Sequence, residues 1–136
     1  MLSKIIKINK NISVMEVVSL KWFKNTDFDS KDLPNSWVNM DFEFMRLIDE
    51  LRSRVGLPII INSAFRTRSH NLKVEGKSNS SHTRGLAVDL RISSSQHRFL
   101  IIKYALELGI TRIGVYKTFI HLDIDKSLPE GVIWYE

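Results

Sequence analysis

The segment from Gly85 to Ile92 constrains the fold of this chain more than any other segment does. Its residues alternate without interruption, so that one face would carry Leu86, Val88, Leu90 and Ile92. A period of two is the period of a β-strand, and an apolar face on such a strand predicts a sheet that covers a core on one side. Asp89 falls on the other face, between Ala87 and Arg91. The sequence therefore predicts a sheet with a carboxylate on the face away from the core.

Helices are predicted where apolar residues recur every three or four positions. Ser13 followed by Glu16 has the pattern of a capping box and predicts a short first helix. Residues 41–55 predict a second helix, with an acid at its start and arginines near its end. Residues 94–108 predict a third helix, capped by serine and closed by glycine. The residues that we expect on its inward face are Phe99, Ile102 and Leu106.

Further strands are predicted from short runs of β-branched and aromatic residues, over 58–62, 112–116, 119–124 and 132–135. Residues 24–40 and 63–82 are polar and bear Asn and Ser, so we expect loops there. Helices packed on one sheet make an α+β fold. We expect a single domain over residues 1–136, with the helices packed on a central antiparallel sheet.

Composition excludes some classes of protein. The chain has no cysteine, so any metal must be held by histidine, aspartate or glutamate. Its net charge of +5 comes from scattered basic residues rather than from one helical stripe, which argues against a nucleic-acid-binding face. The N-terminal residues lack the apolar run of a signal peptide, and no segment approaches the ~20 apolar residues that span a bilayer. We expect a soluble monomer that binds no nucleic acid and has no membrane span.

A metal site is the most informative candidate. His82 ends a predicted loop, whereas Asp89 and His121 lie on strands. If those strands are neighbours, facing side chains begin ~4.5–5.5 Å apart and admit zinc with ligand bonds of ~2.0–2.2 Å. Two imidazoles and one carboxylate leave a position for water, as catalytic zinc sites do. From spacing alone, the alternative of ordinary hydrogen-bonded side chains stays open. His97 is assigned no role, and His70 is interpreted as a loop residue.

The segment from Ser80 to Asp89 resembles the S-x-H-x-x-G-x-A-x-D signature of the M15 peptidases, a family of zinc D-Ala-D-Ala carboxypeptidases and dipeptidases and of phage L-Ala-D-Glu endolysins. Three more segments are similar to the small M15A-type branch in the same order: Asn62 to Thr67, Ile113 to Tyr116 and Phe119 to Asp123. The resemblance covers about residues 13–135. It implies a hedgehog/DD-peptidase-like α+β fold and Zn²⁺ held by His82, Asp89 and His121.

The resemblance also implies substrate-binding residues. Arg66 matches the family arginine that contacts the substrate, and a planar guanidinium suits a peptide carboxylate or carbonyl. Ser80 matches a substrate-binding serine two positions before the first ligand. The alternatives are a solvated arginine and a serine that only serves a turn. Arg68 and Arg84 are interpreted as ordinary surface charges.

The chain departs from the family pattern at the general base. Many members carry glutamate, or sometimes aspartate, three residues before the last histidine, where this chain has Thr118. Threonine cannot take a proton from zinc-bound water at neutral pH. Asp123 is the candidate catalytic base, or equally a residue that orients a ligand imidazole. Asp125 and Glu75 are weaker substitutes.

These features predict a zinc metallopeptidase that hydrolyses peptide bonds of peptidoglycan stem peptides. D-Ala-D-Ala carboxypeptidase action is slightly favoured because Arg66 suits a free carboxylate. An endolysin-type L-Ala-D-Glu endopeptidase is close behind, and it fits a protein that stays cytoplasmic until phage-type release to the cell wall. Two rivals remain: a zinc-binding module that grips the wall without catalysis, and a basic nucleic-acid binder.

Overall fold

The structure, a computed structural model, describes residues 3–7 and 14–136. Its strands are β1 (Ser3–Lys7), β2 (Val14–Val18), β3 (Ile61–Ser63), β4 (Ala87–Arg91), β5 (Arg112–Val115), β6 (Phe119–Asp123) and β7 (Val132–Tyr135). Its α-helices are α1 (Phe42–Val55), α2 (Arg68–Lys73) and α3 (Ser95–Glu107). Short 3-10 helices span Asn25–Phe28, Ser36–Asn39 and Ser81–Arg84. The predicted α+β class is confirmed.

The sheet that carries the candidate site has five strands in the order β3-β4-β6-β5-β7. Neighbouring strands are antiparallel, as predicted, except that β7 runs parallel to β5. The sheet is therefore mixed, which the sequence does not predict. The end of β6 lies beside the start of β5, where Asp123 pairs with Arg112, and the loop after β6 keeps the chain at this end of the sheet, so that Val132 also pairs with Arg112. A strand that begins at this end runs beside β5 in the same direction.

Helices α1 and α3 contact each other and share one buried cluster with the sheet. The predicted helix over 41–55 is confirmed, since Asp41 accepts a hydrogen bond from the backbone of Phe44 and Gly56 ends the helix with φ 72°. Members of the cluster from the helices and the sheet include Phe44, Ile48, Leu51, Ile101, Ala105, Val88, Leu90, Ile113, Ile120 and Leu122. The alternation of β4 thus buries Val88 and Leu90 and turns Asp89 to the opposite face.

The predicted first helix is wrong. Val14–Val18 is strand β2, antiparallel to β1, with Glu16 opposite Ile5. Ser13, the predicted cap, lies outside the described residues. Three of the five residues in β2 are valine, whose branched side chain favours strands, and so short a run gives helical spacing little weight.

The predicted inward face of α3 is also wrong for two residues. Phe99 is 62% exposed and Leu106 is 46% exposed, whereas the buried residues of the helix are His97, Ile101 and Ala105. Apolar and polar residues are spread around this helix, so its sequence does not single out one apolar face. Contact with α1 selects the face that is buried.

The predicted loops are more structured than expected. The segment 24–40 contains two 3-10 helices and buries Phe28, Trp37 and Met40. The segment 63–82 contains α2, and β3 covers Ile61–Ser63 rather than 58–62. Within the part of the chain that is described, no helix combines the length and the apolar character needed to cross a membrane.

Candidate metal centre

The candidate site lies on the face of the sheet opposite the core, along one row of paired residues. Asp89 of β4 faces His121 of β6, and His121 faces Gly114 of β5. Ser63 continues the row on one side of Asp89, and Trp134 continues it beyond Gly114. Two of the three predicted metal ligands therefore lie directly opposite each other on neighbouring strands, which is the condition for a shared metal.

The third predicted ligand, His82, enters from the 3-10 helix Ser81–Arg84, which Gly85 ends in a left-handed conformation with φ 72°. A Cβ atom at position 85 would lie 2.1 Å from the backbone oxygen of Asn39. Glycine is required there because it tolerates both the positive φ and this close approach. The turn brings His82 over the sheet, where its side chain is almost fully buried.

The three side chains converge on one point. The Oδ1 atom of Asp89 lies 3.3 Å from Nε2 of His82 and 3.1 Å from Nδ1 of His121. One ligand atom from each residue lies within 4.8 Å of the other two. A metal with ligand bonds of ~2.0–2.2 Å fits between atoms at such separations. The predicted set His82, Asp89 and His121 is thus brought together.

The outer nitrogen of each imidazole is already engaged. Nδ1 of His82 lies 2.8 Å from the carbonyl oxygen of Ala64, and Nε2 of His121 lies 2.7 Å from Oδ2 of Asp123. A neutral imidazole that donates its proton to either acceptor directs a lone pair at Asp89. Two lone pairs facing a carboxylate repel it unless protons or a cation lie between them. The donor set therefore fits a metal ion.

Electrostatics agree with an anionic ligand at the centre. Burial raises the pKa of Asp89, but hydrogen bonds with His121 and His82 outweigh burial and hold this pKa well below its usual range. Burial lowers the pKa of His121, and hydrogen bonds with Asp123 and Asp89 outweigh it and raise the pKa. Asp89 is consequently ionised at neutral pH.

Arg66 lies beside the cluster. Its Nη2 atom is 3.3 Å from Oδ2 of Asp89, the oxygen that faces away from the imidazoles, and its Nε is 3.1 Å from the hydroxyl of Ser63. Its Nη1 donates to Asn71 at 3.2 Å. The guanidinium thus fixes the orientation of Asp89, and it also lines the cavity above the cluster. Ser80 lines the same cavity and accepts a hydrogen bond from the backbone of His82.

Asp123 is only 1% exposed, and both of its carboxylate oxygens have donors. Oδ2 contacts His121, while Oδ1 accepts from Nε of Arg112 at 2.8 Å and from the backbone of Asp125 at 3.0 Å. These contacts hold the imidazole of His121 in one orientation. Of the two roles considered for Asp123, its position favours orientation of the ligand.

Thr118 lies in the exposed turn between β5 and β6, and its backbone oxygen accepts a hydrogen bond from Ile92. Glu75, in contrast, lines the cavity. Its carboxylate is exposed and has no partner among the side chains that the structure describes. Its backbone has φ 58°, an uncommon conformation for a residue other than glycine.

Sequence reasoning missed a network beneath His82. Asp125, only 1% exposed, accepts hydrogen bonds from Ser81 at 2.6 Å, from Nη1 of Arg84 at 3.0 Å and from the backbone of Ser127 at 3.0 Å. The interpretation of Arg84 as an ordinary surface charge is therefore wrong. The available signal was a basic residue two positions after His82 and two aspartates within four positions after His121.

The cluster opens into a cavity of about 730 Å³. Arg66 and Ser80 lie among its polar lining residues, whereas Tyr116, Phe119 and Trp134 supply aromatic walls. A volume of this order accommodates a small ligand or a few residues of a peptide. Two imidazoles and a carboxylate at the floor of an open cavity are the features of a catalytic metal centre.

Comparison with protein families agrees with this class. Residues 15–123 match the family model described as Peptidase M15. No curated protein matches the sequence. The chain belongs to the M15 peptidase family, and it is accordingly a peptidase of the metallopeptidase class.

Proposed function

We propose that this protein is a zinc-dependent peptidase that hydrolyses peptide bonds in the stem peptides of bacterial peptidoglycan. One observation carries the proposal: Nε2 of His82, Oδ1 of Asp89 and Nδ1 of His121 converge at the floor of an open cavity. Membership of the M15 family supports a metallopeptidase that acts on the cell wall. The proposal adds the metal and the substrate to that class.

His82, Asp89 and His121 would hold the zinc ion. Zinc bound by three protein ligands supplies Lewis acidity and lowers the pKa of a bound water to about 7. Ala64 and Asp123 keep the two imidazoles in the tautomers that leave Nε2 of His82 and Nδ1 of His121 free. Arg66 forms an ion pair with Oδ2 of Asp89 and so leaves Oδ1 turned toward the histidines.

Arg66 and Ser80 are proposed to bind the substrate. An arginine has five N–H donors, and three of those in Arg66 serve Ser63, Asn71 and Asp89. Two donors thus remain for a peptide carboxylate or carbonyl. A free terminal carboxylate makes better use of them than an internal carbonyl, which favours D-Ala-D-Ala carboxypeptidase action. L-Ala-D-Glu endopeptidase action is the alternative within the same chemistry.

The proton from water needs an acceptor, and two carboxylates are candidates. Asp123 is buried and already binds His121 and Arg112, so we propose that it mainly positions His121. Glu75 lines the cavity, is exposed and has no side-chain partner among the described residues, so its carboxylate is available and we propose it as the base.

The test is mass spectrometry of purified peptidoglycan and of pentapeptide stems after incubation with the zinc-loaded protein. A chelated sample and a His82→Ala variant control for the metal, and His70→Ala controls for loss of a histidine outside the cluster. Fragments that require zinc and His82, but not His70, support the peptidase and identify its bond. Absence of fragments from protein with stoichiometric zinc refutes the peptidase.

One observation favours a second candidate function. In this alternative, the protein is a zinc-binding module that binds wall peptides without hydrolysing them. Thr118 replaces the carboxylate that the family pattern places three residues before the last histidine. This module would bind stem peptides and zinc and release no fragments. The same experiment, with equilibrium binding measured on the same samples, separates the two candidates.

A further inference from the structure

Trp134 lies at the end of the row of paired residues that contains Asp89 and His121, beyond the part of the chain that the family model matches. Its ring centroid is 5.5 Å from that of His121, although one strand separates them. The residue on that strand is Gly114, where a Cβ atom would lie 2.7 Å from Cε2 and Nε1 of the indole. The indole therefore occupies space that any side chain at position 114 would take.

The ring is held from its other sides as well. Its Nε1 donates a hydrogen bond to the hydroxyl of Tyr116 at 3.1 Å, and the guanidinium carbon of Arg112 lies 5.2 Å from its centroid. Tyr116 itself stacks on Phe119 with ring centroids 4.4 Å apart. Trp134 is nevertheless only half-buried, and it lines the cavity. Such an ordered aromatic surface loses little conformational entropy when it binds a ligand.

The two sides of the cavity differ in chemistry. On the β3 side of the metal ligands stands Arg66, which is charged and still has free donors. On the β7 side stands the indole of Trp134, an apolar surface within about two residues of extended peptide from His121. A peptide bound across the row would meet a charge on one side of its reacting bond and an aromatic ring on the other.

We propose that Trp134 binds the aliphatic side chain of the substrate residue next to the cleaved bond, and that Gly114 is needed to seat the ring in that position. This inference rests on the proposed peptidase function and assigns the specificity of the same site. It selects a small aliphatic residue, such as alanine, over glycine, because a methyl group gains contact with the indole.

The experiment uses zinc-loaded protein and wall peptides that carry either alanine or glycine on each side of the cleaved bond. Trp134→Ala is expected to raise KM for the alanine peptide about tenfold and to leave kcat within about threefold. The ratio of kcat/KM for the alanine peptide to kcat/KM for the glycine peptide should fall toward one. Gly114→Ala, which keeps the indole but displaces it, is expected to have the same effect, whereas Trp134→Phe retains most of the preference.

Trp22→Ala is the matched control, because Trp22 is 43% exposed and lies against Arg52 of α1 rather than in the cavity. Zinc affinity, measured by chelator competition, distinguishes a substrate role from support of His121. An unchanged alanine preference in Trp134→Ala overturns the inference. If a loss of zinc affinity explains the whole rise in KM of Trp134→Ala, the inference is also overturned.

Binding of the same peptides, measured by titration calorimetry, separates this inference from the proposed function. Hydrolysis by the wild type with no effect of Trp134→Ala contradicts the inference alone. Binding without hydrolysis contradicts the peptidase and leaves the alanine preference measurable as a ratio of dissociation constants. A wild type that neither binds nor hydrolyses wall peptides overturns both.

Discussion

The buried carboxylate of Asp125 joins the segment after β6 to the turn that carries His82. Its Oδ2 atom accepts from the hydroxyl of Ser81 and from Arg84, and its Oδ1 atom accepts from Arg84 and from the backbone and hydroxyl of Ser127. Substitution Asp125→Asn tests whether this network positions the metal centre, because it preserves the size of the side chain and removes its charge.

The expected cost follows from these contacts. Asparagine keeps one acceptor oxygen, but its amide group would face the donors of Arg84, and one charge-assisted hydrogen bond contributes about 1.5–3 kcal/mol. Arg84 is 39% exposed in its side chain, so solvent screens part of the attraction. We expect a loss of about 2–3 kcal/mol in the free energy of unfolding at pH 7. For a chain of 136 residues, the thermal midpoint falls by about 7–10 °C.

The pH dependence has a defined sign. Burial raises the pKa of Asp125, but its hydrogen bonds with Arg84, Ser127 and Ser81 outweigh burial and hold this pKa well below its usual range. A carboxyl whose pKa is lower in the folded state stabilises the fold above its unfolded pKa and loses that effect as the pH falls. The difference between wild type and Asp125→Asn should be constant from pH 5 to 7 and shrink below about pH 4.

Denaturant unfolding of the metal-free protein at several pH values is the assay, and Glu130→Gln is the control. Glu130 pairs with Lys126 in an ion pair whose side chains are 60% and 85% exposed, so its loss should change stability little. Zinc affinity of Asp125→Asn should fall about tenfold, because partners outside the ligand shell orient metal ligands. A difference below about 0.5 kcal/mol at pH 7, or one that persists unchanged at pH 3, refutes this reasoning.

Three further outcomes are expected. Zinc at a thousand times its dissociation constant should stabilise the wild type by about 4 kcal/mol, and scanning calorimetry should show no such gain in His82→Ala. Glu75→Gln should lower kcat by a factor of about 10²–10⁴ and leave zinc affinity unchanged, whereas Asp123→Asn should mainly lower zinc affinity, about 10–100-fold. Steady-state kinetics and metal titration measure both effects, and the reverse pattern assigns the base to Asp123. Gly85→Ala should lower the free energy of unfolding, measured with denaturant, by at least about 2 kcal/mol, because the added Cβ atom would collide with the backbone of Asn39. An unchanged free energy of unfolding would contradict that contact.

The sequence predicts the centre of the fold well because its pattern there is unambiguous. Strict alternation in β4 leaves one face for Asp89, and capped apolar spacing leaves one helix over 41–55. Where a short segment suits two structures, the prediction fails. The valines of β2 fit a helical spacing and also a strand, and pairing with β1 decides in favour of the strand.

Contacts between segments that are far apart in the sequence could not be predicted from local patterns. Arg84 and Asp125 are 41 residues apart, and nothing local in either segment indicates that they meet. Trp134 reaches His121 because β7 pairs with β5 in the register that places Trp134 beside Gly114, and that pairing depends on the path of the loop between β6 and β7. Such contacts follow from strand order, which short-range patterns do not encode.

Strand register connects the core to the metal centre. A slip of one residue between β4 and β6 would move every side chain of the slipped strand to the opposite face. Val88 and Leu90 of β4 pair with Leu122 and Ile120 of β6, and all four are fully buried, so such a slip would expose apolar surface to water. The same register places Asp89 opposite His121. Packing on one face of the sheet thus fixes the pairing of Asp89 with His121 on the other face.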